Sequence, residues 1–136
     1  MIRVAAVVVF NRSGEMLLVR KRGTSRFMNP GGKPEPGENI RQTAVRELTE
    51  ELGLAVAAEQ LVELGRWQIA AANEPDHDVD ATVFELAHPV AEGVRPEAEI
   101  EQIYWCRPAD IAGTKSLSPL LRGPILDWLE RRRAEQ

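Results

Sequence analysis

Four glutamates and an arginine stand at regular spacing in the first half of this chain: Glu38, Arg46, Glu47, Glu50 and Glu51. Read as a helix from Asn39 to Leu52, positions 47, 50 and 51 fall at i, i+3 and i+4, so their carboxylates share one edge. Like charges placed so repel by about 0.2–0.5 kcal/mol per pair on an exposed helix. A hard divalent cation turns that repulsion into coordination, because Mg²⁺ takes carboxylate oxygens together with the oxygens of substrate phosphates. The loop ahead of them runs Met28-Asn-Pro-Gly-Gly-Lys-Pro-Glu-Pro-Gly37. Its paired glycines, 31 and 32, admit close approach of the backbone, while Pro30, Pro34 and Pro36 stiffen the path. A solvated helix face is the plainer reading of an acidic stretch alone. A stiff glycine loop set against a row of carboxylates is the outline of a metal–phosphate site.

The elements that must position these groups are legible in outline. Ile40, Ala44, Leu48 and Leu52 recur every four residues with Val45 beside them, which gives the acidic helix one apolar stripe. Pro36-Gly37 turns the chain into its polar start, and Gly53 stands where a left-handed cap residue ends a helix. Ile2–Phe10 is almost wholly Val, Ala and Ile and reads as a strand buried on both faces. Asn11-Arg-Ser-Gly14 reads as a turn, with Glu15–Arg22 returning as the hairpin partner of that strand. Leu64–Ala71, Asp78–Ala87 and Ile100–Arg107 are further strand candidates. Ser118-Pro119 opens a closing helix with Leu121, Ile125, Trp128 and Leu129 on one face and Arg131-Arg132-Arg133 at its end.

The 136 residues predict one α+β domain over 1–136, and 43% apolar with 28% charged residues are ordinary globular values. No apolar run approaches the ~20 residues of a membrane span, so no membrane partner is expected. Cys106 is alone, which rules out a disulfide framework and fits the cytoplasm. Net charge is −4, divided unevenly: residues 1–54 carry nine basic and six acidic side chains, and residues 55–136 carry eight and fifteen. The acidic whole argues against long nucleic acid as a partner. The local cluster Arg20-Lys21-Arg22, with Arg26 and Lys33 nearby, suits the phosphates of a small ligand or, as plainly, a solvated strand end. Monomer and homodimer are equally compatible with this sequence.

The run from Gly32 to Leu54, GKPEPGENIRQTAVRELTEELGL, resembles the Nudix box of the Nudix (MutT-type) hydrolases at every defining position: Gly32, Glu38, Arg46-Glu47, Leu48, Glu50-Glu51, Gly53 and Leu54. The resemblance implies a Nudix-like α/β/α sandwich with a mixed β-sheet between helices. It also implies hydrolysis of a pyrophosphate bond in a nucleoside diphosphate linked to a further group X, with a small nucleotide as partner. By that likeness Gly32, Glu47, Glu50 and Glu51 would hold Mg²⁺ or Mn²⁺, and Glu50 or Glu51 would help deprotonate the attacking water. Arg46 would pair with a box glutamate and fix the loop. Glu38 would support that loop or an outer metal, and it joins Arg20, Arg22 and Lys33 of the basic cluster as a substrate-binding candidate.

Relatives commonly add an acid from the strand before the aromatic that here is Trp105. Gln102 stands where a glutamate is often found, leaving Glu99 and Glu101, which strand alternation would put on one face. Glu101 is the catalytic candidate of the two. Asp76-His77-Asp78 with Asp80 reads as a solvated loop ahead of a substrate contact and, last, a separate metal site, and Phe27, Trp67 and Phe84 as base-stacking or core aromatics. The antimutator branch reads oxidised dGTP through an Asn just before a Pro; Arg122 falls at that place before Pro124, which argues against that substrate. The favoured substrate is a nucleoside triphosphate or small nucleotide derivative. An idle Nudix domain binding nucleotide as a sensor, an ADP-ribose or nucleotide-sugar pyrophosphatase, and an isomerase acting on an isoprenoid diphosphate are the alternatives.

Overall fold

Alternation along β1 (Ile2–Val8) decides the layering of the molecule. In the computed structural model, which describes residues 1–91 and 93–135, Ala5 and Val7 point into one apolar cluster and Ala6 and Val8 into another. β2 (Met16–Lys21) repeats the division, with Leu17 and Val19 in the first cluster and Met16 and Leu18 in the second. The first cluster is closed by Ala44, Leu48 and Leu52 of α1 (Ile40–Leu52), and the second by Leu121, Ile125 and Leu129 of the C-terminal segment. Strands thus lie between helical layers, an α+β sandwich.

The strands form two sheets. The larger is mixed, in the order β3-β1-β5-β4, where β3 is Gly31–Gly32, β4 is Leu61–Ala70 and β5 is Asp78–Leu86. β1 runs parallel to β5 and antiparallel to β3. β2 pairs antiparallel with β6 (Ile100–Cys106) in the second sheet. The expected hairpin between the first two strands therefore survives only at its base, where Phe10 bridges Met16 and Leu17 N–H donates to the Val9 carbonyl. Beyond that point both edges of β1 are taken by β3 and β5, so β2 must find another partner. β4 also begins three residues earlier than the apolar pattern predicts. It is an outer strand with one solvated face, so backbone pairing with β5 carries it through Val62 and Glu63 to a bulge between Glu63 and Gly65.

Asn39 caps α1: its side chain accepts from Gln42 N–H at 2.8 Å, and the Gln42 side chain accepts from Asn39 N–H at 2.9 Å. Gly53 closes it at φ 67°. A short α2 (Pro108–Ile111) follows β6. The closing helix is in two parts, a π-helical turn at Leu121–Ile125 and α3 (Leu126–Ala134). Pro124 has no N–H to donate to the preceding turn, which loosens the ladder there. Among the described residues no helix is long and apolar enough to cross a membrane.

Candidate active site

The glycine loop and α1 meet through close approach. A Cβ on Gly31 would stand 1.9 Å from the Ala5 carbonyl oxygen, and one on Gly32 would meet the Glu47 carboxylate at 2.7–2.9 Å. The absence of side chains at both positions therefore lets β3 seat against β1 while Glu47 lies directly over the loop. Gly31 N–H donates to Glu51 Oε1 at 3.0 Å. Glu51 Oε2 is buried and has no hydrogen-bond partner, and the residue as a whole is only 1% exposed. Burial, aided by Glu47 and Glu99 and opposed by the Gly31 N–H and by Lys21, pushes the Glu51 carboxyl up to about 8. Burial likewise raises Glu47, against the pull of Arg46.

Arg46 is the hub that holds the loop to the helix. Its Nε and Nη2 grip the two oxygens of Glu38 at 2.8 and 2.9 Å, and Nη2 also donates to the Lys33 carbonyl at 2.9 Å. Nη1 donates to Glu47 Oε1 at 2.7 Å and to Glu50 Oε2 at 3.1 Å. The forked guanidinium and the Thr43 hydroxyl, 2.7 Å away, bring Glu38 down to about 2. Replacing Arg46 with Gln removes the larger of these causes. The Glu38 carboxyl should then titrate closer to 4.5, and the stability held by its charge should disappear at higher pH than in the wild type. Carboxyl-detected NMR titration reads this directly; an unmoved Glu38 would show that the hydroxyl and backbone donors suffice.

A cavity of about 570 Å³ opens against this assembly. Glu47, Gly31, Gly32, Lys33, Arg22 and Glu99 line it, whereas Arg20, Glu38, Glu50 and Glu101 do not. Glu50 lies on the outward side of the helix, with its side chain half exposed and held by Arg46. Of the three box carboxylates only Glu47 lines the cavity; Glu51 is buried against the loop through the Gly31 N–H, and Glu50 faces outward. Phe27, Trp67 and Phe84 are all core residues or packed against the core, and none lines the cavity.

Glu99 and Glu101 are separated by a feature invisible to strand alternation. The β2–β6 ladder slips between Arg20 and Lys21, so Arg20 opposes Gln102 and Lys21 opposes Ile100, leaving Glu101 as the extra residue of a bulge. Glu101 pairs with Arg20 at 2.8 Å and is held below the usual carboxylate range by it. Glu99 reaches Lys21 Nζ at 3.1 Å on the cavity wall. Lys21 has no separate signal within Arg20-Lys21-Arg22, yet it lines the cavity with Arg22 and pairs there with Glu99. Burial acts to lower its ammonium pKa, but Glu51, Glu99 and Glu47 together outweigh it and leave Lys21 raised.

The donor set fits a divalent cation of the open, hydrated kind. Among the described residues no three His, Cys, Asp or Glu side chains form a closed ligand cage. Mg²⁺ does not require one: it keeps several waters and uses one or two carboxylates together with substrate phosphate. The partnerless Glu51 Oε2 and the Glu47 carboxylate over Gly32 are oxygen donors of that type.

A mixed sheet between helices, with a glycine loop and two buried glutamates beside a cavity lined by both cations and carboxylates, defines a phosphoanhydride-cleaving class of enzyme. The NUDIX domain family model matches residues 1–129, and the chain belongs to the Nudix hydrolase family. It is 30% identical to the isopentenyl-diphosphate Delta-isomerase of Nocardia farcinica over 141 aligned positions, 93% of this chain and 74% of that protein. It is 44% identical to the RNA pyrophosphohydrolase of Yersinia enterocolitica over 48 residues, a match spanning 35% of this chain and 27% of that one. The crystal structure of a MutT protein from Methanosarcina mazei superposes with a TM-score of 0.78 at 25% identity, covering 98% of this chain and 94% of the other. Nudix hydrolases as a family work with divalent metal ions.

Proposed function

We propose that this chain is a Mg²⁺- or Mn²⁺-dependent pyrophosphohydrolase of a nucleoside diphosphate linked to X, with a nucleoside triphosphate or small nucleotide derivative as substrate. The observation that carries the reading is Glu51: a buried carboxylate with one oxygen held by Gly31 N–H, the other unpaired, and its proton affinity raised to about 8. When bound at Glu47, Glu51 and the Gly32 carbonyl, the metal would offset charge developing on the phosphoryl oxygens and acidify water. The chain's own residues supply the rest. Lys21, Arg22 and Lys33 line the cavity among Glu47, Glu74 and Glu99 and would neutralise and orient a polyphosphate. Glu47 and Glu51 oxygens would order the attacking water, with Glu99, across from Lys21, as the acid from outside the box in preference to Glu101. Arg46 acts through the loop, fixing the backbone between Lys33 and Glu38 and the Glu47 carboxylate.

Product analysis on a panel of nucleotides tests this: ordinary and oxidised deoxynucleoside triphosphates, ADP-ribose, dinucleoside polyphosphates and NADH, with Mg²⁺ and then with excess chelator. Chelation is expected to remove turnover of whichever class is cleaved. Nucleotide binding without product, with or without metal, would instead identify an idle binding domain.

The Nocardia isomerase likeness favours a second reading, in which an isoprenoid diphosphate occupies the cavity. Incubation with isopentenyl diphosphate separates the two, since isomerisation leaves the diphosphate intact and hydrolysis releases phosphate.

A further inference from the structure

The cavity has a second polar fixture, remote in character from its phosphate end. Asn29 lines it, is 5% exposed, and donates from Nδ2 to Met16 Sδ at 3.5 Å. A thioether accepts hydrogen bonds and donates none, so the amide is oriented with its NH₂ toward sulfur and its carbonyl elsewhere. Asn29 Oδ1 has no partner. Among the described residues only Glu51 Oε2 shares that condition, and the metal–water end accounts for Glu51.

The two orphans are tied to different cores. Glu47 and Glu51 belong to α1 on the first core, whereas Asn29 is tied to Met16 of the second core, the one closed by Leu121, Ile125 and Leu129. Its cavity neighbours include Ser118, Pro119 and Leu120 from the start of the closing helix, and Ala70–Ala72 with Val79 add an apolar lining. The backbone on both sides is pinned: Met28 and Val19 exchange two bonds of 2.8 Å, and Val7 N–H donates to the Pro30 carbonyl at 2.9 Å. One unpaired acceptor held rigidly in a mainly apolar recess orients a single donor group of a ligand.

We infer that Asn29 Oδ1 is the specificity contact for the part of the substrate distal to the phosphates, accepting a hydrogen bond from an amino or ring N–H of a nucleobase. The inference rests on the reading of the site as nucleotide-binding and sharpens it. A hydrocarbon isoprenoid tail has no donor and would leave the buried carbonyl unsatisfied, so Asn29 selects against it.

The test uses Asn29→Leu, which keeps the branching and heavy-atom number without polar atoms, with Asn29→Ala as a second variant. Binding of α,β-methylene purine and pyrimidine triphosphates and of isopentenyl diphosphate is measured by calorimetry with Mg²⁺, alongside kcat/KM for the cleavable nucleotides. The preferred nucleotide should bind the wild type, and both variants should lose roughly ten- to a hundred-fold in affinity and in kcat/KM, with the loss in KM. Thermal midpoints of ligand-free Asn29→Leu should be unchanged or higher, because an unpaired buried acceptor is removed. Unchanged nucleotide affinity, or a lower midpoint with unchanged selectivity, would make Asn29 a structural residue and overturn the inference. Tighter wild-type binding of isopentenyl diphosphate than of any nucleotide would also overturn it. A wild type that binds nucleotide through Asn29 but cleaves none would sink the hydrolase reading and leave the contact standing.

Discussion

Glu51→Gln is expected to lower kcat by roughly a thousand-fold or more while leaving the fold intact. The amide retains an oxygen to accept the Gly31 N–H, so the loop keeps its anchor, but the anionic oxygen donor is gone. The same variant should remove a pH dependence of the metal-free protein. Glu51 titrates near 4.5 in the unfolded chain and at about 8 when folded. Between those values the native state holds a proton that the unfolded state has lost, so stability is fully present below about pH 4.5 and falls as pH rises through about 8. The span corresponds to about 2–5 kcal/mol in order of magnitude. Urea unfolding at pH 5 and pH 8 in the presence of chelator should show this loss in the wild type and a much flatter profile in Glu51→Gln. Added Mg²⁺ should restore the wild type at pH 8 and do little for the variant, since a ligand stabilises only the state that binds it. A wild type equally stable at both pH values would refute the buried, uncompensated carboxylate.

Gly31→Ala is expected to be the most damaging single-methyl change in the site. Its Cβ would lie 1.9 Å from the Ala5 carbonyl oxygen, a backbone atom of the interior strand that no rotamer change can move aside. Accommodation requires β3 to lift from β1, which breaks the Ala6–Gly31 register and withdraws the N–H that holds Glu51. The destabilisation should be on the order of 4 kcal/mol or more, with activity lost even in the folded fraction. Gly37→Ala is the control: it also sits at positive φ, but nothing lies within 4 Å of its added Cβ, so it should cost only about 1–2 kcal/mol. Equal urea midpoints for the two variants would show that the loop yields where the packing says it cannot.

The local order of this protein was readable because it is written in short-range chemistry. The four-residue apolar repeat, the Asn39 cap and the Gly53 stop define α1 within the chain itself, and the glycine loop is marked by its own residue types. Which strand pairs with which was not readable. Glu15–Arg22 has the composition of a hairpin partner, yet competition for the edges of β1 by β3 and β5 sends β2 to β6 instead. The site divides in the same way. Arg46, Glu38 and Glu47 are near neighbours in sequence, so their proximity follows from helical spacing and a short loop.

Lys21, Glu99 and Asn29 are different, because each gained its place from a distant element. A bulge between Arg20 and Lys21 faces Glu99 toward the cavity and gives Glu101 to Arg20. Asn29 looks like any polar loop residue until Met16 and the segment from Ser118 to Leu120 close around it. Sequence alone determined the class of chemistry, since carboxylate spacing on a helix is periodic and local. Only the tertiary structure decided which carboxylates lose water, which cation faces them and which acceptor is left without a partner, because burial depends on contacts between elements far apart in the chain.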